Sequence, residues 1–242
     1  GYDTMYKIIK KEQLAPNIYL MDINAPHVAK SCKPGQFIIV KIDEKGERIP
    51  LTICDYDKEK GTVTIVYQTL GASTQKMAEY NVGDSYQDFV GPLGVATDIV
   101  SEDIEDLKKK KLVFIAGGVG TAPVYPQVKW MKEQGIDVDV IIGARSKDIV
   151  ILEDEMKKVA KNVYVTTDDG SYGFHGNVTD GLKDLIENQG KSYDQVVAIG
   201  PLIMMKFVCL YTKEIGLPTT VSMNPIMVDG TGMCGACRLT VG

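Results

Sequence analysis

Residues 112–123 read LVFIAGGVGTAP, an apolar strand pattern that runs directly into a glycine-rich turn. The pattern then becomes helical, and Pro123 is predicted at the first position of that helix, where its missing N–H does no harm. Such a turn points backbone N–H groups at a phosphate, or leaves bare backbone against which a nicotinamide ring can lie. It is not GxGxxG, because Pro123 replaces the last glycine, and it lacks the lysine of a P-loop. The motif favours a nucleotide site, and a purely structural turn is the alternative.

Strand-like and helical patterns alternate on the C-terminal side of this turn. The strand-like runs are residues 112–116, 138–142, 163–166 and 195–199, and the helical patterns cover residues 124–134, 152–159, 178–188 and 202–213. This alternation is typical of a parallel sheet with helices on both faces. We therefore predict an α/β nucleotide-binding domain.

The N-terminal part of the chain has a different pattern, of short runs rich in valine, isoleucine, threonine and tyrosine. They are residues 18–21, 37–40, 51–53 and 62–67, with a helical pattern only at residues 73–80. Turn formers separate them, which predicts a small antiparallel β-barrel. The lysine-rich, acidic residues 101–111 then form a connection. The predicted domains are a barrel at 1–100, the α/β domain at 101–222 and a C-terminal segment at 223–242.

Composition limits the class of protein. The 242 residues are 44% hydrophobic and carry a net charge of -5, with the lysines dispersed among acidic residues, which argues against a nucleic-acid partner. We found neither a signal-peptide pattern nor an apolar run of about 20 residues, so a cytoplasmic protein without membrane contact is expected. Of the five cysteines only Cys234 and Cys237 are close in sequence. This spacing argues against a disulfide framework and for ligand or redox chemistry.

Two loops after the later strands are further candidates for a nucleotide site. Arg145, in the turn after the second α/β strand, could hold an adenosine phosphate and so favours NADP, although a solvated basic turn is equally compatible. The loop after the third strand contains Asp168, Asp169, Gly170 and Ser171. It is long and polar for a simple connection, so we predict that it lines the site.

The barrel half contains two weaker signals. The guanidinium of Arg48 could donate paired hydrogen bonds to a diphosphate. Thr52 could present its hydroxyl and its backbone amide to the edge of a flavin ring. Gly71, Ala72, Ser73 and Thr74 follow a strand and open a helix, where amides could hold a second phosphate. The alternatives are an ordinary surface charge for Arg48 and an ordinary helix cap for Ser73 and Thr74.

Residues 229–237 read DGTGMCGAC and combine two thiols with many glycines. Plant-type 2Fe-2S sites use CxxxxCxxC and a distant fourth cysteine, because glycine-rich backbone can fold around a cluster. Asp229 takes the first position of that spacing, followed by Cys234 and Cys237, and no further cysteine follows before Gly242. From the spacing alone, the two cysteines could equally form half of a zinc site or a dithiol redox pair.

Taken in order, these motifs resemble the ferredoxin-NADP reductase superfamily over nearly the whole chain. Within it, the chain is similar to the iron–sulfur flavoprotein subunits of dihydroorotate dehydrogenase B and of NADH-dependent reduced ferredoxin:NADP oxidoreductase. The flavin motif departs from the usual R-x-[YF]-[ST], because the arginine is one residue early and Leu51 takes the aromatic position.

The resemblance implies specific cofactor sites. FAD would be held by Arg48, Pro50, Leu51, Thr52, Gly71, Ala72, Ser73 and Thr74, with Thr52 as the catalytic residue beside flavin N5. NADH, or alternatively NADPH, would be held by Gly117, Gly118, Gly120, Thr121, Ala122, Pro123, Asp168, Asp169, Gly170, Ser171, Gly200 and Pro201. A 2Fe-2S cluster would be held by Asp229, Cys234 and Cys237.

The resemblance also implies an activity and a partner. The chain would pass hydride from NAD(P)H to FAD and then single electrons through the cluster to a larger flavin/iron–sulfur catalytic subunit. An aspartate where the dihydroorotate type has cysteine favours the bifurcating ferredoxin:NADP complex. A dihydroorotate dehydrogenase subunit and a sulfide dehydrogenase-type or stand-alone reductase are alternatives, as is a zinc-binding regulatory module of the same fold.

Overall fold

The computed structural model describes residues 6–222 and the backbone of residues 238–241. Within these residues two sheets form, one antiparallel and N-terminal and one mainly parallel and C-terminal. The predicted fold class is confirmed. None of the helices in this part of the chain has the length and apolar character needed to cross a membrane.

The N-terminal sheet is a six-stranded barrel in the order β1-β2-β5-β4-β3-β6. Its strands are Ile8–Ala15 (β1), Ile18–Asn24 (β2), Phe37–Lys41 (β3), Arg48–Asp57 (β4), Thr62–Gln68 (β5) and Asp88–Leu93 (β6), and its helices are Pro26–Ala29 (α1) and Ala72–Glu79 (α2). The Ile8 N–H donates to the Asp84 carbonyl at 2.8 Å, and the Gly83 N–H donates to the Ile8 carbonyl at 2.9 Å. Because these bonds join the first strand to the segment before the last, the sheet closes on itself.

Two buried tyrosines anchor the barrel core. The hydroxyl of Tyr86 donates to the Met77 carbonyl at 3.0 Å, and that of Tyr67 lies 3.8 Å from the Met21 sulfur. Both tyrosines are 2% exposed. A phenol in such surroundings is stable only while it keeps its proton.

Stability should therefore fall at alkaline pH. Burial raises the pKa of Tyr56 to about 12, and burial likewise raises the pKa of Tyr67, Tyr86, Tyr125 and Tyr193 above the ordinary value. Unfolding returns each phenol to a pKa of about 10. The stabilisation is thus complete below pH 10 and is lost as the pH rises through the folded-state values. Urea unfolding between pH 8 and 11.5 measures this, and an unfolding free energy that is constant above pH 10 would contradict it.

The C-terminal sheet has the order β10-β9-β8-β7-β11-β12-β13, and its strands are parallel except β13. The strands are Leu112–Gly117 (β7), Val138–Ala144 (β8), Asn162–Thr167 (β9), Phe174–His175 (β10), Gln195–Ile199 (β11), Thr219–Ser222 (β12) and Arg238–Val241 (β13). The helices are Ile104–Lys108 (α3), Thr121–Glu133 (α4), Glu153–Val159 (α5), Val178–Lys183 (α6), which continues as a π-helical turn over Asp184–Asn188, and Leu202–Glu214 (α7).

Apolar side chains cover both faces of this sheet, as parallel strands require. On one face Phe114 packs with Val128 of α4, and on the other Ile115 packs with Leu182 of α6 and Val208 of α7. All five of these side chains are 0% exposed. The alternation of successive strand residues between the two faces explains why the sequence shows an unbroken apolar run here.

A shared apolar cluster joins the two domains. Leu20 and Val66 of the barrel pack in this cluster with Ala122 at the start of α4, and Cys54 of β4 is buried in it. At its rim the ammonium of Lys129 lies 2.7 Å from a carboxylate oxygen of Asp55. The cluster sets the position of the barrel relative to the carboxyl ends of the parallel strands.

The structure corrects two local predictions. Helix α4 begins at Thr121, so Pro123 is its third residue and not its first. Strands β1 and β6, which close the barrel, were missing from the predicted elements. In β1, charged and mostly solvent-facing residues separate the buried apolar residues at the two ends, so no strand pattern can be recognised. Strand β6 contains Gly91 and Pro92, which are unfavourable in strand interiors.

Candidate functional site

A cleft lies at the carboxyl edge of the parallel sheet. The chain passes from β7 to β8 and β9 on one side and then returns to β11 and β12 on the other, so the strand order reverses between β7 and β11. Ligands of such sheets bind at this reversal, outside the carboxyl ends of the strands. The cleft has a volume of about 750 Å³. Its lining includes Pro16, Ile18, Gln68, Gly117, Gly118, Val119, Gly143, Ala144, Arg145, Thr166, Asp168, Thr179, Pro201, Ile203, Met204 and Phe207.

Gly117, Gly118 and Met204 line the cleft at the strand reversal, and Gly200, which does not line it, packs against Met204. A Cβ atom on Gly117 would lie 2.3 Å from the Met204 sulfur, and one on Gly200 would lie 2.6 Å from the Met204 methyl carbon. Gly118 adopts a φ of +57°, and a Cβ there would meet open space. Bare backbone at Gly117 and Gly200 thus leaves room for the flexible side chain of Met204, and Gly118 leaves the cleft open beside it.

The rest of the predicted glycine turn lies outside the residues that line the cleft. A Cβ on Gly120 would lie 2.6 Å from the Ile199 carbonyl oxygen, so this glycine permits close packing of the turn on β11. Thr121 and Ala122 are 0% and 3% exposed. These residues and the buried Pro123 do not line the cleft, and their role in holding a nucleotide stays a prediction.

The loops after β8 and β9 form the far end of the cleft. Arg145 and Asp168 both line it, and backbone bonds hold the loops together, since the Asp169 N–H donates to the Arg145 carbonyl at 3.1 Å. The next residues stabilise the loop itself. The Ser171 hydroxyl donates to Asp169 at 2.6 Å and accepts from the Lys147 N–H at 2.9 Å. These bonds from Ser171 hold the pKa of the Asp169 carboxyl below its usual range.

The structure places the four residues predicted in this loop differently. Asp168 reaches the cleft, whereas Asp169, Gly170 and Ser171 are not among the residues that line it. Gly170 has a φ of +71° and packs against the His175 ring, where a Cβ would approach to 2.8 Å. Glycine is needed at that position for the shape of the loop.

Two threonines in the cleft were not predicted. Thr166 at the end of β9 is 1% exposed, and Thr179 lies in the first turn of α6. Both line the cleft, and the hydroxyl oxygen of each is buried with no hydrogen-bond partner. Threonine is common in strands for packing reasons alone, so the sequence gives no signal that sets Thr166 apart.

The barrel contribution comes from β4, whose side chains alternate between two faces. Leu51 is 1% exposed and packs in the barrel core, while Arg48, Pro50 and Thr52 share the opposite face. Leu51 takes the aromatic position of the usual flavin motif, but its side chain points inward and cannot stack on a flavin. Leu51 can offer a flavin only its backbone.

The two predicted flavin segments lie side by side. The Ser73 hydroxyl donates to the Glu47 carboxylate at 3.2 Å, which brings the start of α2 next to the start of β4. The first helical backbone bond of α2 runs from the Gln75 N–H to the Gly71 carbonyl, so the amides of residues 72–74 have no backbone partner within the helix, while the Gly71 N–H donates to the Thr74 hydroxyl at 3.2 Å. A Cβ on Gly71 would meet nothing within 4 Å. Open space and amide donors together fit a diphosphate.

Arg48 stands beside this helix start with a weakly held side chain. Its guanidinium lies 3.6 Å from the Asp88 carboxylate, and the Arg48 side chain is 58% exposed. An exposed ion pair of this length contributes little stability, so the guanidinium can turn toward an anionic ligand. The residues present therefore fit the diphosphate of a flavin dinucleotide.

The predicted cluster ligands Asp229, Cys234 and Cys237 lie outside the described residues, so their role stays a prediction. Within residues 6–222, no three His, Cys, Asp or Glu side chains are grouped as metal ligands would be.

Comparison with known proteins agrees with this architecture. Residues 114–210 match the family described as the oxidoreductase NAD-binding domain. A Clostridium beijerinckii protein described as an uncharacterized protein in the adh 3' region is 67% identical over 98% of this chain and 80% of its own length.

Two further matches carry functional names. The dihydroorotate dehydrogenase B (NAD(+)) electron transfer subunit homolog of Thermotoga maritima is 42% identical over 100% of this chain and 82% of its own length. A chain of the solved NADH-dependent reduced ferredoxin-NADP oxidoreductase, studied for flavin-based electron bifurcation, is 40% identical over 96% of this chain and 81% of that chain, with a TM-score of 0.81. This chain therefore belongs to the family of dihydroorotate dehydrogenase B electron-transfer subunits, which are oxidoreductases of the ferredoxin-NADP reductase superfamily.

Proposed function

We propose that this chain takes hydride from NADH at a bound FAD and passes the electrons singly to a larger partner subunit. The observation that carries the proposal is the shared cleft, which Ile18 and Gln68 of the barrel line together with Gly117 and Gly118 of the α/β domain. Gln68 ends β5 shortly before Gly71, where the candidate flavin segment at α2 begins. A flavin held by the barrel and a nicotinamide held at the sheet edge would meet in this one space.

Each part of the protein has a defined task in this proposal. When bound, FAD supplies two-electron chemistry with a nicotinamide and one-electron chemistry with an iron–sulfur cluster. Arg48 and the amides at the start of α2 bind its diphosphate, and Thr52 positions the edge of its ring near N5. Gly117 and Gly118 admit the nicotinamide, and the apolar cluster between the domains fixes the spacing of the two rings.

The nicotinamide donor is assigned as NADH. Arg145 and Asp168 line the same end of the cleft. A carboxylate there accepts hydrogen bonds from ribose hydroxyls and repels a 2'-phosphate, which disfavours NADPH. Arg145 remains available for the diphosphate that both nucleotides share.

The electrons are proposed to leave through a 2Fe-2S cluster held by Asp229, Cys234 and Cys237, toward a larger flavin/iron–sulfur subunit. The names of the relatives suggest two such partners, a dihydroorotate dehydrogenase and an NADH-dependent ferredoxin-NADP oxidoreductase. We favour the second, because Asp229 stands where the dihydroorotate type has cysteine. An aspartate ligand changes the charge of the site and so its reduction potential.

Anaerobic absorption spectra of the purified protein test the proposal. We expect a flavin band near about 450 nm that NADH bleaches at least tenfold faster than NADPH, with iron and sulfide in equal amounts. The Cys234→Ser variant should lose the iron and keep both the FAD and its bleaching by NADH.

Two results would contradict the proposal. A colourless protein that contains zinc alone would support the regulatory module instead. Steady NADH oxidation by the Cys234→Ser variant with its natural acceptor, at the wild-type rate and without any partner subunit, would support a stand-alone reductase.

A further inference from the structure

We propose that Lys129 is a positioning residue that holds the two domains at the spacing which hydride transfer requires, an inference that rests on the proposed function. Its ammonium lies 2.7 Å from the Asp55 carboxylate. Asp55 belongs to β4, three residues after Thr52, and Lys129 belongs to α4, which follows the glycine turn. Among the ion pairs within residues 6–222, this pair joins the barrel to the α/β domain, and the others each lie within one domain.

Lys129 lies on the face of α4 that packs against the barrel. Ala122 and Tyr125 of the same helix pack in the apolar cluster between the domains. Lys129 follows Ala122 by seven residues, which places it two turns further along the same face, at a distance of about 10 Å. The cluster and the ion pair are therefore two separate points of attachment between the domains.

A second cleft between the domains lies at the C-terminal end of α4 and has a volume of about 730 Å³. Its lining includes Pro34, Tyr56 and Lys58 of the barrel and Lys129, Trp130 and Glu133 of α4. The nucleotide cleft lies at the other end of the helix, beside the glycine turn. Because the domain boundary is open at both ends, the apolar cluster alone leaves the domains free to rotate about it. The ion pair at the second cleft fixes the angle between them.

The charges around the cluster increase the importance of Lys129. Cys54 is 2% exposed in the cluster, and burial raises its pKa. The charges of Asp55, Asp22 and Glu155 raise this pKa further, whereas the charge of Lys129 lowers it. Carboxylates of the barrel and of α5 thus lie near one another, with Lys129 as the cation between them. Without Lys129, like charges would repel each other across the domain boundary.

The pair is partly shielded from solvent, and the reaction is sensitive to small displacements. The side chains of Lys129 and Asp55 are 33% and 29% exposed, so salt and water screen this pair less than a fully exposed one. A misplacement of about 1 Å at the reacting atoms costs roughly a hundredfold in rate. A small rotation between the domains is therefore enough to slow hydride transfer from the nicotinamide to the flavin.

The test compares Lys129→Gln and Lys129→Arg with Lys110→Gln in the FAD-loaded protein. The Lys110–Glu102 pair is a matched control, since its length is 3.3 Å, its side chains are 37% and 35% exposed, and it lies within the α/β domain. At saturating NADH, stopped-flow reduction of the flavin should be at least tenfold slower in Lys129→Gln, with unchanged FAD content. Lys129→Arg keeps the charge and should stay within about threefold of wild type, and Lys110→Gln within about twofold.

Labelling of Cys54 by a thiol reagent reports the separation of the domains without any turnover. A buried thiol of raised pKa reacts only when the structure around it opens. Lys129→Gln should therefore raise the labelling rate of Cys54 at least tenfold, as measured by peptide mass spectrometry. Cys209 is partly exposed on α7 and should react at the same rate in all variants, which makes it the internal reference.

Salt distinguishes a positioning role from a general loss of stability. An increase of NaCl from about 0.05 M to about 0.5 M weakens the wild-type ion pair, so it should slow flavin reduction at saturating NADH. In Lys129→Gln the same salt screens the like charges that remain, so it should speed flavin reduction. A variant that is only less stable would respond to salt in the same direction as the wild type.

The inference is overturned if Cys54 of Lys129→Gln reacts at the wild-type rate, if Lys110→Gln slows flavin reduction equally, or if salt acts in the same direction on Lys129→Gln and wild type. Bleaching of the wild-type flavin by NADH is measured alongside. When NADH bleaches the wild-type flavin, any of these results removes the positioning role and leaves the proposed function standing. If NADH does not bleach the wild-type flavin, the proposed function fails and the inference fails with it.

Discussion

Replacement of Gly117 by alanine should lower kcat/KM for NADH about a hundredfold while the protein keeps its FAD. The new Cβ would lie 2.3 Å from the Met204 sulfur and 3.3 Å from the Pro201 ring, so the Met204 side chain must move. The sheet blocks its movement inward, and the cleft that both residues line offers open space. A displaced Met204 would then occupy the volume proposed for the nicotinamide, and a misplacement of about 1 Å at a reacting centre costs about this much rate.

Stopped-flow reduction of the flavin by NADH measures the effect, and Met204 supplies the control. The Gly117→Ala/Met204→Ala double variant removes the obstructing side chain. Its kcat/KM for NADH should therefore be at least tenfold higher than that of Gly117→Ala alone. Met204→Ala alone should change the rate much less than Gly117→Ala. Equal losses in the single and the double variants would show that the alanine methyl acts directly and that Met204 is not the obstacle.

The sequence predicts the α/β domain well because its strands are buried on both faces. A continuous apolar run such as residues 195–199 is stable in a sheet only where both faces of the strand are buried. The observed bounds of β11 coincide with the predicted ones. The barrel is harder to predict because its edge strands face solvent. In β1 the buried ends Ile8 and Ala15 enclose a mostly exposed, charged middle, so closure depends on distant backbone bonds that no local pattern records.

The flavin segment shows that strand register decides which side chains of a motif can face a ligand. The start of β4 lies beside the start of α2, but whether Leu51 faces the ligand depends on strand register. Side chains alternate with period two, so a motif shifted by one residue moves every side chain to the other face. Only the pairing of Leu51 with Ile38 in the structure settles the register.

The nucleotide end of the cleft shows a different limit. Glycine and aspartate can be recognised in a sequence as turn formers. In the structure, however, Gly120 packs against β11 and Asp169 bonds within its own loop, whereas Thr166 and Thr179 line the cleft. The distinguishing property of these threonines is the absence of a partner for the hydroxyl. That property depends on the packing of β9 against α6, so spacing along the chain does not reveal it.

Loss of Asp139 should destabilise the α/β domain by about 3 kcal/mol without a change in NADH kinetics. Asp139 is 6% exposed near the amino end of β8, and its carboxylate accepts from Asn162 at 2.9 Å, from Lys191 at 3.1 Å and from the Tyr193 hydroxyl at 2.7 Å. Asp139→Ala leaves all three donors without this acceptor, and two of them belong to a loop that precedes β11. Replacement of an exposed partner, as in Lys10→Ala of the Lys10–Glu12 pair at 3.6 Å, should cost less than about 1 kcal/mol.

The distance of Asp139 from the cleft is the reason that the NADH kinetics should not change. Ala144, which lines the cleft, lies five residues after Asp139 along β8, and at about 3.3 Å per residue this distance is roughly 16 Å. Thermal unfolding should therefore show a Tm lower by roughly 6–12 °C for Asp139→Ala, since 1 kcal/mol shifts the Tm of a domain of this size by about 2–4 °C. The rate of flavin reduction by NADH at 25 °C should stay within twofold of wild type. A rate that falls together with the Tm would mean that the network at the amino end also holds the loops after β8 and β9 in place, and that the fold and the site are coupled through the strand.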